Sequence, residues 1–100
     1  MRELFGLSLE TRTKIQSVLA SYPEIQKVII YGSRAKGTHR PGSDIDLTLV
    51  APTLTLSDLL RIENQIDDLL LAYKVDLSLY HQIENPELID HINRVGLSFQ

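Results

Sequence analysis

Apolar residues recur along this 100-residue chain at helical spacing in some stretches and at alternating or continuous strand-like spacing in others. Ile15, Val18, Leu19 and Tyr22 share one side of a helix that Ser8 can cap and that runs to about Ala20, with Pro23 as its stop. Gln26 to Tyr31, QKVIIY, is rich in β-branched and aromatic types and ends at Gly32, which predicts a strand. Ser33 to Lys36 leaves room for one helical turn, THRPGS has the Pro and Gly density of a loop, and Asp44 to Val50 predicts a second strand. From about Leu56 to Leu71 the positions Leu59, Ile62, Ile66, Leu69 and Leu70 form a helical stripe, with Asp58, Glu63, Asp67 and Asp68 on the other faces. A third strand is expected over Lys74 to Tyr80. Asn85 and Pro86 then start a helix carrying Leu88, Ile89, Ile92 and Val95, which Gly96 is expected to end in a left-handed turn, and LSFQ reads as a short edge strand.

The order helix, strand, turn, strand, helix, strand, helix predicts an α/β fold with one small sheet flanked by helices. The connection between the first two strands is too short for a parallel crossover, so the sheet is expected to be mixed. A chain of 100 residues holds one modest core, hence a single domain over residues 1–100.

Composition narrows the function classes. A formal charge of −3 argues against a surface built for bulk nucleic-acid binding, although a local basic loop is compatible with it. With no Cys there is no disulfide framework and no thiolate metal site, which suits a reducing compartment. The opening MRELFGLSLETRTK has no apolar run of the length a signal peptide or membrane span needs, so a cytoplasmic protein with no membrane association is expected.

Against this ordinary background, the segment YGSRAKGTHRPGSDIDLTLV sets two aspartates among apolar residues. Side chains alternate along a strand, so Asp44 and Asp46 face one way and Ile45 and Leu47 the other. Like charges that close raise one carboxyl pKa unless a cation neutralises them, and hard oxygen ligands select Mg²⁺ or Mn²⁺. Asp76 lies between Val75 and Leu77 on the third predicted strand; if that strand is the neighbour of the second, three carboxylates can hold two ions about 3.5–4 Å apart, the spacing used in phosphoryl transfer. Plainer readings stay open: Asp44 as a capping residue after Gly42 and Ser43, and Asp76 in a salt bridge with Lys74. Leu47, Leu49 and Val50 after DID exclude an EF-hand loop.

Gly32 and Ser33 fall where a strand gives way to a helical turn, a place where backbone N–H groups can receive a phosphate and the Ser33 hydroxyl can donate to it. An ordinary strand-ending turn would look the same. Arg34 and Lys36, one turn on, can neutralise triphosphate charge or remain solvated surface. No Gly-Lys followed by Ser or Thr is present, so this is not a Walker A loop.

Gly32 and Ser33, ten residues, then Asp44-Ile45-Asp46 and a later Asp76 on a strand resemble the G-S-x10-D-x-D pattern of the DNA polymerase beta-like nucleotidyltransferases, over nearly the whole chain. The resemblance implies the small palm-like nucleotidyltransferase fold, ATP as substrate, and Mg²⁺, two ions, held by Asp44, Asp46 and Asp76. It also implies that Asp76 helps activate the acceptor and that Gly32 and Ser33 hold the phosphates. In length the chain is similar to the minimal nucleotidyltransferases, the MNT antitoxins paired with HEPN-domain partners, and this implies AMP transfer to a tyrosine of a HEPN ribonuclease toxin. Two other outcomes stay open: a binding module that neutralises its partner by covering it, and transfer to a small molecule or RNA.

Overall fold

The structure, a computed structural model, describes residues 4–99. Its elements are α1 (Leu9–Ala20), β1 (Lys27–Tyr31), α2 (Gly32–Lys36), β2 (Ile45–Val50), α3 (Leu56–Asp67), β3 (Val75–Leu79), α4 (Pro86–Val95) and β4 (Leu97–Ser98), with a 3₁₀ turn at Tyr80–Gln82. The strands form one sheet in the order β3-β2-β1-β4. β1 runs antiparallel to β2 and to β4, whereas β2 and β3 are parallel, so the sheet is mixed as the short first connection predicts.

Alternation along the strands sorts the residues into two faces. Val28 and Ile30 of β1, Ile45, Leu47 and Leu49 of β2 and Leu79 of β3 are buried in one cluster with Ile15 and Leu19 of α1 and Leu59, Ile62 and Ile66 of α3. α4 crosses the other face: its C-cap Gly96 sits against the Ile29 side chain. One face of the sheet is therefore core, and the opposite face carries the polar residues of β2 and β3.

The first and last helices start at the caps read from the sequence, Ser8 and Asn85, and α3 starts at a cap that the sequence reading did not mark. The Ser8 hydroxyl accepts from the Thr11 N–H, the Asn85 side chain accepts from Glu87 and Leu88 with Pro86 in the first turn, and Thr55 and Asp58 form a reciprocal capping box on α3. Two helix ends differ from expectation. α3 stops at Asp67 rather than Leu71, because the Leu69 and Leu70 N–H groups bond back to Ile66 and Asp67 as a tightened last turn and Leu70 then takes a left-handed φ of 55°. Leu69 and Leu71 still pack on the core from outside the helix, which is why the apolar stripe overruns it. Gly96 is extended, φ −63° and ψ 141°, not left-handed. Glycine is needed there for space, since a Cβ would collide with the Ile92 carbonyl oxygen and the Ile29 side chain. The predicted LSFQ strand is Leu97–Ser98; the Phe99 N–H still donates to the Val28 carbonyl at 2.9 Å, and Gln100 lies outside the described residues.

Candidate active site

Strand register aligns the polar face. Tyr31 pairs with Asp46 across the antiparallel β1–β2 ladder, and Asp46 pairs with Asp76 across the parallel β2–β3 ladder, so the three side chains form a row across the sheet. Thr48 and Ser78 form the next row, and the Ser78 hydroxyl donates to the Thr48 hydroxyl at 2.9 Å. The Tyr31 hydroxyl is near enough to Ser78 to be influenced by it.

The Asp46 and Asp76 carboxylates are side by side in register on neighbouring strands, and each is near enough to act on the other. Burial is the largest influence on Asp46 and raises its pKa; repulsion from Asp76 and then Asp44 raises it further, the hydrogen bond with Asp76 adds to this, and His91 opposes it. Burial is also the largest influence on the Tyr31 hydroxyl and pushes its pKa up; Ser78 opposes this, and the negative charge of Asp46 and Asp76 adds to it.

Asp44 is exposed and immediately precedes β2, near enough to act on Asp46. The three carboxylates are not gathered as closely as the sequence pattern suggests: among the described residues no group of three or more His, Asp or Glu stands ready as a metal cluster. The physical reason is visible in the neighbours. Asp76 is engaged by the Lys74 ammonium at 3.5 Å, the salt bridge that the sequence left open, and Asp44 belongs to the loop rather than to the strand. The donor chemistry nonetheless suits a hard divalent cation, because the set is all carboxylate and two of its members are neighbours in register on adjacent strands.

Gly32 adjoins this pair. Its φ is 74°, and a Cβ at this position would overlap Asp46 Oδ2, so glycine is required here both for conformation and for the close approach of the carboxylate. Ser33 follows in the first turn of α2, and its carbonyl accepts the Gly37 and Thr38 N–H groups that close that helix.

Arg34 is a correction. It is only 3% exposed and its guanidinium is committed to the protein itself. Nε and Nη2 donate to the Ser43 carbonyl at 3.1 and 2.8 Å, Nη1 donates to the Phe5 carbonyl at 2.8 Å, and the group lies 4.9 Å from the centre of the Tyr73 ring. Arg34 thus braces the residue before Asp44 against the N-terminal segment and the approach to β3, and is turned away from any ligand on the open face. Lys36 is exposed at the end of α2.

His91 of α4 carried no assignment in the sequence, yet its Nε2 accepts the Gly32 N–H at 3.2 Å and its ring stands edge-on to Tyr31 with centroids 6.1 Å apart. The spacing Leu88, His91, Val95 does put it on the inward side of the last helix, and that periodicity is the signal that could have found it. Tyr31, read only as the end of a strand, is the other residue of the site that the sequence did not mark out.

The chain is similar to known proteins. The family described as "Polymerase beta, Nucleotidyltransferase" matches residues 13–98. A Methanocaldococcus jannaschii protein named "Putative protein adenylyltransferase" is 31% identical over 86 residues, which is 78% of this chain and 87% of that one. A chain in the crystal structure of a toxin–antitoxin with AMP-PNP superposes with a TM-score of 0.73 at 24% identity, over 89% of this chain and 72% of that chain. A chain in the structure of the tri-AMPylated Shewanella oneidensis HEPN toxin in complex with MNT antitoxin gives a TM-score of 0.68 at 20% identity, over 91% and 70%. At these identities the two structures speak for the fold alone. The family match and the adenylyltransferase relative, across most of a chain whose glycine turn and paired carboxylates lie on one sheet face, make it a member of the polymerase beta nucleotidyltransferase family and a nucleotidyltransferase by activity.

Proposed function

We propose that this protein is a Mg²⁺-dependent adenylyltransferase that moves AMP from ATP to a tyrosine hydroxyl of a HEPN-domain toxin, and that it acts as the antitoxin of that pair in the cytoplasm. The observation that carries the reading is the register that sets Asp46 beside Asp76 on neighbouring strands, with the Gly32 turn against the Asp46 carboxylate. Two neighbouring carboxylates with a third acting on them are costly without a compensating positive charge, and a nucleotide·Mg²⁺ complex is the natural ligand for such a surface. The adenylyltransferase name of the relative points to AMP as the group transferred, and the AMP-PNP and AMPylated-toxin complexes of the structural neighbours point to ATP and a HEPN partner.

Asp44, Asp46 and Asp76 would hold Mg²⁺, two ions at full occupancy, which supply neutralisation of the triphosphate when bound. Gly32 lets a phosphate approach closely and Ser33 receives its oxygens through its own backbone N–H and hydroxyl, with Lys36 adding charge from the edge of the site. The acceptor oxygen attacks the α-phosphorus; an O–P bond forms, the bond to the pyrophosphate bridging oxygen breaks, and pyrophosphate departs. Asp76, at the outer end of the carboxylate row, takes the acceptor proton. No helix among the described residues is long and apolar enough to cross a membrane.

The test is co-expression with a HEPN-domain toxin followed by intact-mass measurement of that toxin. Mass increments of AMP that require ATP and Mg²⁺ and disappear in the Asp44→Asn, Asp46→Asn double variant are expected. If the double variant still neutralises the toxin as fully as the wild type, with no AMP attached in either case, coverage of the partner is the activity and the transfer reading is wrong.

A further inference from the structure

α4 lies on the polar face of the sheet, opposite the core that α1 and α3 share, and it is seated there closely. Gly96 at its end leaves no room for a Cβ against Ile29, and the Tyr80 hydroxyl donates to Asn93 at 3.0 Å, tying the helix to the segment that follows β3. One side chain of this helix touches the site. His91 Nε2 accepts the N–H of Gly32, and its ring packs edge-on against Tyr31, the residue in register with Asp46.

We propose that His91 is a positioning residue that fixes the Gly32–Ser33 turn for nucleotide binding, acting through the Gly32 N–H and the Tyr31 ring. This rests on the reading that the turn holds the phosphates of ATP. Gly32 combines two liabilities: a left-handed φ that only glycine adopts easily, and contact with the Asp46 carboxylate that a Cβ would not permit. A glycine in that state is free to leave it. Its N–H is the first of α2 and has no partner within that helix, so the imidazole is what pins it. Because Nε2 accepts, the neutral ring carries its proton on Nδ1 in this arrangement. Tyr31 closes the geometry from the side, since its backbone is fixed in register with Asp46 and its ring is met by the His91 edge at 80°.

Replacement of the acceptor while keeping the ring separates this role from packing. His91→Phe retains an aromatic edge for Tyr31 but cannot accept from Gly32; His91→Gln offers an amide oxygen near the position of Nε2. The first readout needs no ligand: amide hydrogen exchange at Gly32, followed by NMR, is expected to be faster in His91→Phe and restored in His91→Gln. The second is calorimetric titration with ATP and Mg²⁺, where His91→Phe is expected to bind about fivefold more weakly, the equivalent of one lost hydrogen bond, and His91→Gln within about twofold of wild type. Unchanged Gly32 exchange in His91→Phe, or ATP binding equal to or tighter than wild type in that variant, overturns the proposal. Failure of the wild type itself to bind ATP and Mg²⁺ would instead overturn the function proposed above, and the exchange measurement would still decide whether His91 holds the turn.

Discussion

Asp46 is where structure and activity pull in opposite directions. Its pKa is raised by burial first and by the neighbouring carboxylates second, so the folded state binds a proton more readily than the unfolded one. A raised carboxyl pKa means that stability falls as pH rises from the ordinary Asp value, about 3.9, through the higher folded value. At neutral pH the ionised Asp46 is therefore a handicap to the metal-free protein. Asp46→Asn is expected to melt at a higher temperature than wild type at pH 7 in chelator, with the difference shrinking as pH is lowered towards the ordinary Asp range, while AMP transfer is lost. Equal or lower melting of the variant at pH 7 would remove this account of the site. The aspartate itself was legible in the sequence because a carboxylate on an apolar strand needs a reason. The opposite role of Arg34 was not: a basic residue next to a Gly-Ser turn looks like a phosphate ligand, and only the fold brings the Ser43 and Phe5 carbonyls within its reach.

Elements were legible wherever a local signal set them. The caps at Ser8 and Asn85 began their helices as the side-chain chemistry dictates, and the β-branched runs became strands, whereas the Thr55 cap of α3 went unread. Ends governed by tertiary packing were less so. Leu69 and Leu70 continue the apolar period of α3, yet the helix stops at Asp67 so that the chain can turn back into β3, and Leu70 is left 88% exposed in a left-handed conformation. That conformation costs a branched side chain about 1–2 kcal/mol. No buried contact compensates, so Leu70→Asn, whose side chain tolerates this region, is expected to stabilise the protein by about 0.5–1 kcal/mol in urea unfolding. A loss of stability would mean that the exposed leucine contributes packing the static structure does not show. The converse case is Gly96, where sequence logic asked for a left-handed cap and the close approach of α4 to β1 asked only for the absence of a Cβ.

At the scale of the whole molecule the site joins parts that are distant in the chain. β1, α2 and β2 form a compact local unit that carries Gly32, Ser33, Asp44 and Asp46, whereas Asp76 arrives on β3 only after the α3 crossover returns the chain parallel to β2. The pairing of Asp46 with Asp76 is thus a property of the folded sheet, and an ion or nucleotide complex that bridges the two binds the native state and not the unfolded one. Ligand affinity then appears directly as global stability. With Mg²⁺ and ATP at about a hundred times their dissociation constant the gain is about 2.7 kcal/mol, which for a domain of this size is on the order of 10–20 °C in Tm. The effect is expected to vanish in Asp46→Asn and to be absent when NaCl replaces MgCl₂ at equal ionic strength, which separates a specific bridge from general screening of a chain with net charge −3. It is also expected to weaken below the folded pKa of Asp46, since a protonated carboxyl must give up its proton before it can accept a cation. Differential scanning calorimetry across these conditions checks the argument. A Tm gain that survives the Asp46 substitution would mean that the stabilising ligand binds somewhere other than between β2 and β3.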